Sequence, residues 1–250
     1  MSISRLHSLM KIGLAALICL CSIVLSEKPT LAIQKTAPVK TEPTAIYKVN
    51  TDQKVIALTF DISWGEKAPG PILDILQQKQ VAKATFFLSG PWVLHHQEIA
   101  KRIKGMGYEI GSHGNMHKNF SEHTDGWIRE QVQKSEHSIK EVLGIKTTLI
   151  RTPNGDFNKR VLTELHKMHY TVIQWNTDSL DWMNPGVEQI QQRVLTRVVP
   201  GDIILMHASD SCKQTHIALP AIIDGLRAKG YRFATVSELV AGVQIRSHVQ

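Results

Sequence analysis

Chemically capable side chains stand directly after five apolar segments of this sequence. They are Asp61 after Val55–Phe60, His113 and His117 after Tyr108–Gly111, Arg151 after Thr147–Ile150, Asp178 and Asp181 after Thr171–Trp175, and His207 after Ile203–Met206. A carboxylate can accept a proton, an imidazole can donate one or bind a metal ion, and a guanidinium can hold a carboxylate in place. If the chain brings them together, these side chains indicate a catalytic site.

The pair His113 and His117 has the spacing His-x3-His, which would put both imidazoles on one side of a helical turn. Such a pair suits a divalent metal ion. The sequence holds 12 histidines in 250 residues, so chance alone produces about 0.6 pairs of this kind. The spacing by itself therefore does not establish metal binding.

The other side chains also have structural alternatives when each is taken alone. Asp61 could be a helix N-cap, and Arg151 could be half of a structural ion pair. Asp178 or Asp181 could be a turn residue, and His207 a hydrogen-bonded buried histidine. Their joint placement after apolar runs is what favours a site.

Apolar, β-branched runs alternate with longer amphipathic segments from Lys54 onward. Ala84–Leu88 and Arg232–Val236 bring the number of these runs to seven. The amphipathic segments are Pro69–Gln80, Pro91–Gly105, Asp125–Leu143, Asn158–Met168, Val187–Val198 and His216–Lys229. Continuous apolar strands between helices indicate a parallel sheet covered on both faces.

We therefore expect an α/β fold, namely a distorted (β/α) barrel with about seven parallel strands. A doubly wound open sheet is the structural alternative. In either fold the carboxyl ends of the strands form one rim, where ligands bind. The fold thus predicts that residues scattered along the sequence converge.

The N-terminal segment has the composition of an export signal. Arg5 and Lys11 precede a mostly apolar run, Ile12–Leu25, and Thr30-Leu31-Ala32 could be a cleavage site. We expect residues 1–32 to be a signal peptide or an N-terminal membrane anchor. The protein would then be exported, either secreted or held at the membrane by this segment alone.

A polar stretch with Pro38 and Pro43 follows, so residues 33–51 are expected to be a linker and 52–245 the functional domain. Two of the three cysteines, Cys19 and Cys21, lie in the apolar run; only Cys212 lies in the domain, which excludes an intradomain disulfide there. The formal net charge is +7, but no dense Lys/Arg block carries interleaved aromatic residues. We expect no nucleic-acid partner, and a monomer.

Five motifs, in order, resemble those of the polysaccharide deacetylases of carbohydrate esterase family 4, which share the NodB homology domain. The motifs are Thr59-Phe60-Asp61, Ser112-His113 with His117, Arg151-Thr-Pro153-Asn-Gly155, Asp178-Ser-Leu-Asp181-Trp182 and Leu205-Met-His207. The resemblance covers roughly residues 52–240. It is closest to the sporulation-associated branch of the PdaB kind, and it implies a NodB-type fold.

The resemblance implies four catalytic roles. Asp61 would be the general base, and Arg151 would hold its carboxylate. His207 would be the general acid that protonates the departing sugar amine, and Asp181 would orient it. These roles suit hydrolysis of an amide in an N-acetylated sugar.

It also implies roles in substrate binding. The backbone near Asn154 would help to bind the oxyanion, and Trp182 would form one wall of the groove. Leu205 would line the pocket for the acetyl methyl group, and Asp178 belongs to the fourth motif. Asn154 stands where the family commonly has an aromatic residue, a minor departure because its backbone carries the role.

The resemblance implies that His113 and His117 bind a divalent metal ion, commonly zinc. The family normally has a second aspartate as third ligand, at the position of Ile62 in this sequence, and isoleucine cannot bind a metal. Asp61 could turn to the metal, or Glu66 could reach it. Zinc sites in catalysis usually have three protein ligands.

Two functions follow. The first is an N-deacetylase that acts on the amide bonds of a peptidoglycan-like or N-acetylglucosamine polymer, with an altered metal site, in maturation of the spore or cell wall. The second is a catalytically impaired glycan-binding protein of the same fold. Retention of Asp61, Arg151, Asp181 and His207 favours the first, and Ile62 favours the second.

Overall fold

A computed structural model describes residues 43–247, which form eight strands and eight α-helices. The strands are β1 (Val55–Ile62), β2 (Thr85–Leu88), β3 (Glu109–Ser112), β4 (Leu149–Ile150), β5 (Thr171–Val172), β6 (Thr177–Asp178), β7 (Ile203–His207) and β8 (Arg232–Ala234). The helices are α1 (Pro69–Gln78), α2 (Gly90–His95), α3 (Gln97–Gly105), α4 (Asp125–Leu143), α5 (Lys159–Lys167), α6 (Val187–Arg197), α7 (Thr215–Ala228) and α8 (Val236–Ser247).

All strand pairs of the described sheet are parallel, in the order β5-β4-β3-β2-β1-β7-β6, with β8 beside β1. The sheet curls into an incomplete barrel with helices outside, which confirms the predicted distorted (β/α) barrel. Strand β6 was not predicted, because its two residues, Thr177 and Asp178, are polar and belong to no apolar run. The parallel order places the carboxyl ends of the strands on one rim.

Strand β1 shows how the two faces of the sheet are used. Successive side chains of a strand point to opposite faces. Leu58, Phe60 and Ile62 pack in the large hydrophobic cluster with residues of the helices. Ala57 packs in a second cluster, formed mainly by other strands, and Asp61 lies on that same face of β1. Because side chains alternate along β1, Asp61 points into the interior of the barrel and Ile62 points into the layer beneath the helices.

The predicted helix Pro91–Gly105 is two helices in the structure. His96 leaves the helical conformation, with φ −124° and ψ 50°, and separates α2 from α3. The apolar spacing continues across this break, so the pattern could not reveal it. Helix α8, which follows the last strand, was also not predicted.

Residues 45–49, in the segment expected to be a linker, contact the barrel. The N–H of Ile46 donates to the carbonyl of Val172, and the N–H of Val49 donates to that of Gly201. Val49 is buried, so this part of the chain lies along the sheet. The expected signal peptide or anchor at 1–32 and the rest of the linker up to residue 42 lie outside the described residues. Within residues 43–247, no helix combines the length and apolar character needed to cross a membrane.

Candidate active site

A cavity of about 410 Å³ lies at the rim formed by the carboxyl ends of the strands. Eight of the ten site residues predicted from the sequence line it: Asp61, His113, His117, Asn154, Asp178, Trp182, Leu205 and His207. The other two, Arg151 and Asp181, are fully buried and contact residues of this lining. The fold therefore brings together all of the predicted residues.

Asp61 is held by Arg151 through a buried ion pair. Nη1 of Arg151 donates to Oδ1 of Asp61 over 2.7 Å, with side-chain exposures of 0% and 6%. The same guanidinium donates to the hydroxyl of Thr59 and to the carbonyls of Ile173 and Gln174. The pair is thus part of a hydrogen-bonded network that fixes one oxygen of Asp61.

This network decides the charge state of Asp61. Burial is the largest single effect on its pKa and raises it, but Arg151, His113 and His207 together hold the pKa of Asp61 below its ordinary value. Burial lowers the pKa of Arg151, and the negative charge of Asp61 offsets part of this change. A guanidinium nevertheless remains protonated in proteins. The base candidate is therefore ionised at neutral pH.

His207 is held by Asp181 in a corresponding way. Nδ1 of His207 donates to Oδ1 of Asp181 over 2.7 Å, while Oδ2 accepts from the backbone N–H of His207 and the hydroxyl of Thr215. Burial lowers the pKa of His207, but the hydrogen bond and charge of Asp181, with the charge of Asp61, raise it above its ordinary value. The imidazole is thus stabilised as a cation.

Asp61 and His207 occupy paired positions on the adjacent parallel strands β1 and β7. The hypothesis that Asp61 is a helix N-cap is wrong, because α1 begins after Ala68. The hypothesis that Arg151 belongs to a structural ion pair holds in part, since its partner is this cavity-lining carboxylate.

His113 and His117 lie in a bent loop after β3 rather than on the helical turn predicted from their spacing. Gly114 between them has φ +71°, outside the helical region. Their rings are nevertheless neighbours, with centroids 5.4 Å apart. The loop, and not a helix, brings the two imidazoles together.

The surroundings of His113 prepare its second nitrogen for a ligand. Nδ1 donates to the carbonyl of Arg151 over 2.8 Å, which leaves the lone pair on Nε2, 3.8 Å from Oδ2 of Asp61. Burial lowers the pKa of His113 to about 4, and it also lowers the pKa of His117. Both imidazoles are therefore neutral at neutral pH, the form that binds a metal.

Ile62 leaves this donor set one protein ligand short of the usual three. Its side chain is fully buried in the hydrophobic cluster beneath the helices, on the face of β1 opposite Asp61. Glu66 does not replace it: its carboxylate lies 3.6 Å from Nδ1 of His96 and is not part of the cavity lining. The residues present thus fit a divalent ion through two imidazoles, with the Asp61 carboxylate close to one of them.

A second group of potential ligands, Asp181, His207 and Cys212, has donor atoms within 4.8 Å of one another. Both oxygens of Asp181 already accept hydrogen bonds. Burial, with the charge of Asp181, raises the pKa of Cys212 to about 12, so the thiol is protonated. We therefore regard the histidine pair as the better metal candidate.

Residues 48–173 match the family model described as polysaccharide deacetylase. The chain belongs to the polysaccharide deacetylase family. The resemblance given by the five motifs is thereby confirmed.

Relatives of this deacetylase-family protein differ in what is known of them. It is 37% identical over 213 residues to the uncharacterized protein YlxY of Bacillus subtilis, covering 85% of this chain and 64% of YlxY. It is 35% identical to a peptidoglycan-N-acetylglucosamine deacetylase of Bacillus cereus, covering 80% of this chain and 95% of the relative. A crystal structure of a CE4 family pseudoenzyme from Bacillus anthracis superposes with a TM-score of 0.74 at 33% identity, covering 79% of this chain and 69% of that one.

The remaining predicted residues line the cavity of this deacetylase-family protein. Asn154 has φ +59° in a short 3-10 turn and donates from its side chain to Asn119. The carboxylate of Asp178 accepts the N–H of Leu180, so Asp178 is also a turn residue. Trp182 is half exposed and Leu205 almost fully buried, as expected of a groove wall and a pocket floor.

Sequence reasoning missed several lining residues: Ser63, Trp64, Gly155, Trp175, Ser209, Ser211 and Cys212. Most of them follow the ends of the same strands that supply the predicted residues. A search for every polar, thiol or aromatic side chain within about six positions of the end of each apolar run would have found all of them except Gly155, which the third motif already contains. The search from the residues alone stopped at charged and imidazole side chains, while Asn154, Trp182 and Leu205 came only from the resemblance.

Proposed function

We propose that this protein removes N-acetyl groups from a peptidoglycan-like or N-acetylglucosamine polymer. The observation that carries the proposal is that Asp61 and His207 occupy paired strand positions, line the same cavity and have pKa values shifted in opposite directions. The pKa of Asp61 is lowered, and that of His207 is raised. Titratable pairs shifted apart in this way are typical of a general base and a general acid.

In the proposed reaction the polymer lies in the cavity with one acetamide group between Asp61 and His207. Asp61, kept ionised and oriented by Arg151, removes a proton from the attacking water. His207, kept as a cation by Asp181, protonates the departing sugar amine. The backbone at Asn154 faces the developing oxyanion, and Leu205 and Trp182 contact the acetyl group and the sugar. Acetate and a free amine are the products.

His113 and His117 would hold a divalent metal ion such as zinc. Such an ion, when bound, lowers the pKa of a water molecule and polarises the carbonyl of the acetamide. The contribution of this chain is to keep both imidazoles neutral and to fix the tautomer of His113 through the carbonyl of Arg151. The missing ligand at Ile62 predicts that such an ion is held weakly.

The setting of the reaction is inferred from the resemblance and from the relatives. We infer an exported, monomeric protein that acts on cell-wall or spore-envelope glycan, with residues 1–32 as its export signal or membrane anchor and residues 52–245 as its deacetylase domain. The similarity to a peptidoglycan-N-acetylglucosamine deacetylase supports the glycan class.

A second candidate function is glycan binding without chemistry. The observation that favours it is Ile62, whose buried side chain removes a ligand from the metal site. The similarity to a CE4 family pseudoenzyme points in the same direction. In this case the cavity would bind the polymer but leave its acetyl groups in place.

Acetate release from peptidoglycan and from N-acetylglucosamine oligomers separates the two functions. The full chain is assayed with added Zn²⁺ or Co²⁺ and after chelation, with glycan binding measured in parallel. Metal-dependent release is the expected result. Binding of the same glycans without release on any substrate would instead establish the second function.

A further inference from the structure

We propose that Trp64 is a sugar-binding residue, an aromatic platform at the rim of the cavity that binds a pyranose ring of the polymer. This inference rests on the proposed function for its ligand class. Trp64 lines the cavity together with Asp61, His207 and Trp182. Trp64 is 45% exposed, and Trp182 is 50% exposed.

An exposed tryptophan is normally mobile, but Trp64 is fixed. Its indole N–H donates to the hydroxyl of Ser211 over 3.2 Å. Its ring meets that of His117 edge-on, with centroids 5.3 Å apart. The hydrogen bond holds the nitrogen edge of the indole, and 45% of the residue remains accessible to a ligand. A rigid aromatic ring binds a ligand with little loss of conformational entropy.

The loop that carries Trp64 is fixed as well, by Asp210. The carboxylate of Asp210 accepts the backbone N–H groups of Glu66, Lys67 and Ala68. Gly65 has φ +83°, and a Cβ there would overlap with the side chain of Asp210, so this close approach requires glycine. The structure thus prepares the position of Trp64 before any ligand binds.

The loop after β7 joins Trp64 to Trp182. Ser211 accepts the indole N–H of Trp64, while its carbonyl accepts the side-chain amide of Asn184, two residues after Trp182. The N–H of Lys213 donates to Oδ1 of Asn184. The indole of Trp64 and the backbone turn that carries Trp182 are therefore both attached to one segment, 211–213. The axial C–H groups of a pyranose ring give it an apolar face, which binds well to an indole face. An N-acetylhexosamine polymer in this cavity would meet both.

The test compares Trp64→Ala, Trp64→Phe and the control Trp127→Phe in the full chain. Trp127 is a tryptophan outside the cavity lining, stacked on His123. Dissociation constants for the N-acetylglucosamine tetramer are measured by calorimetry, and KM and kcat by acetate release. Where the wild type releases acetate, binding is measured in an Asp61→Asn background. Circular dichroism checks the fold of each variant.

We expect Trp64→Ala to raise Kd and KM roughly tenfold, a change of the size known for aromatic contacts, with kcat within about threefold. Trp64→Phe keeps a ring face and should recover most of the affinity, and Trp127→Phe should leave Kd unchanged.

Unchanged Kd in Trp64→Ala would overturn the proposal. So would a loss of kcat alone, which would mean that Trp64 acts through His117, and so would a wild-type chain that binds no glycan. A chain that binds glycan without releasing acetate would refute the deacetylase reaction, while Kd would still decide the role of Trp64.

Discussion

Asp61 and His207 are partners in the register of β1 and β7, yet their surroundings shift their pKa values in opposite directions. Each forms an ion pair with a fully buried side chain of opposite charge: Asp61 with Arg151, and His207 with Asp181. Such an arrangement costs desolvation of two charged groups. Its retention favours chemistry in this cavity, since glycan binding alone requires neither a base nor an acid.

Replacement of Asp181 by Asn should lower the pKa of His207, because the hydrogen bond and the charge that oppose burial most strongly would be lost, while the charge of Asp61 remains. We expect the histidine titration, followed by NMR, to move to lower pH than in the wild type. The alkaline limb of the activity profile should shift to lower pH in parallel, since the acid would lose its proton earlier. The exposed Asp224→Asn variant is the control. An unchanged His207 titration would show that Asp181 does not set this pKa.

The same coupling predicts how stability depends on pH. A folded-state pKa above the unfolded value contributes stability that is fully present below the unfolded pKa and is lost as pH rises through the folded pKa. Urea unfolding of the wild type should therefore show a contribution from His207 that fades above about pH 6.5. The Asp181→Asn variant should lack this contribution. If the free energies of unfolding of the two proteins differ by the same amount at every pH, the pKa of His207 is not raised by Asp181.

Replacement of Arg151 by Met should destabilise the fold, because it would leave the carboxylate of Asp61 buried without its partner. Loss of one member of a buried ion pair costs about 3–5 kcal/mol. The exposed pair between Lys101 and Glu98 offers a matched control, since Lys101→Met should cost at most about 1 kcal/mol. The measurement is urea unfolding followed by circular dichroism. Equal free energies of unfolding for the two variants would contradict the structural role of Arg151.

Replacement of Ile62 by Asp should restore the third metal ligand, because the family resemblance places its ligand aspartate at this position. Without metal, we expect Ile62→Asp to destabilise the chain by roughly 3 kcal/mol or more, since the wild-type side chain lies among buried apolar residues. Ile62→Val should cost only about 1 kcal/mol. Thermal melts with and without Zn²⁺ make the comparison, and we expect a zinc-dependent rise in the melting temperature of Ile62→Asp that is absent from Ile62→Val. No such rise would show that the carboxylate stays in the layer beneath the helices and does not reach the imidazoles.

The barrel and its rim were predictable because they follow from local patterns. Apolar runs between helices indicate parallel strands, and parallel strands bring the residues that follow them to one edge. The pairing of Asp61 with Arg151 and of Asp181 with His207 came only from the family resemblance. These contacts join residues far apart in sequence, and no periodicity reports which strand ends become neighbours.

Other features could not be predicted for physical reasons. The imidazoles of His113 and His117 meet through a loop with a glycine of positive φ, although their spacing suggested a helical turn. The break at His96 lies inside a continuous apolar pattern. Trp64 follows its apolar run closely and could have been found from the sequence, but its contacts with Ser211 and His117, which indicate its role, could not.

The most direct test of the account is acetate release by the wild-type chain and by Asp61→Asn, on the same peptidoglycan and N-acetylglucosamine oligomers with added Zn²⁺ or Co²⁺. The substitution removes the base but keeps a polar side chain of the same shape next to Arg151. We predict release by the wild type, loss of release in the variant, and binding of the glycans by both. Release that persists at the wild-type rate in Asp61→Asn would contradict the assignment of Asp61 as the base, and with it the proposed mechanism.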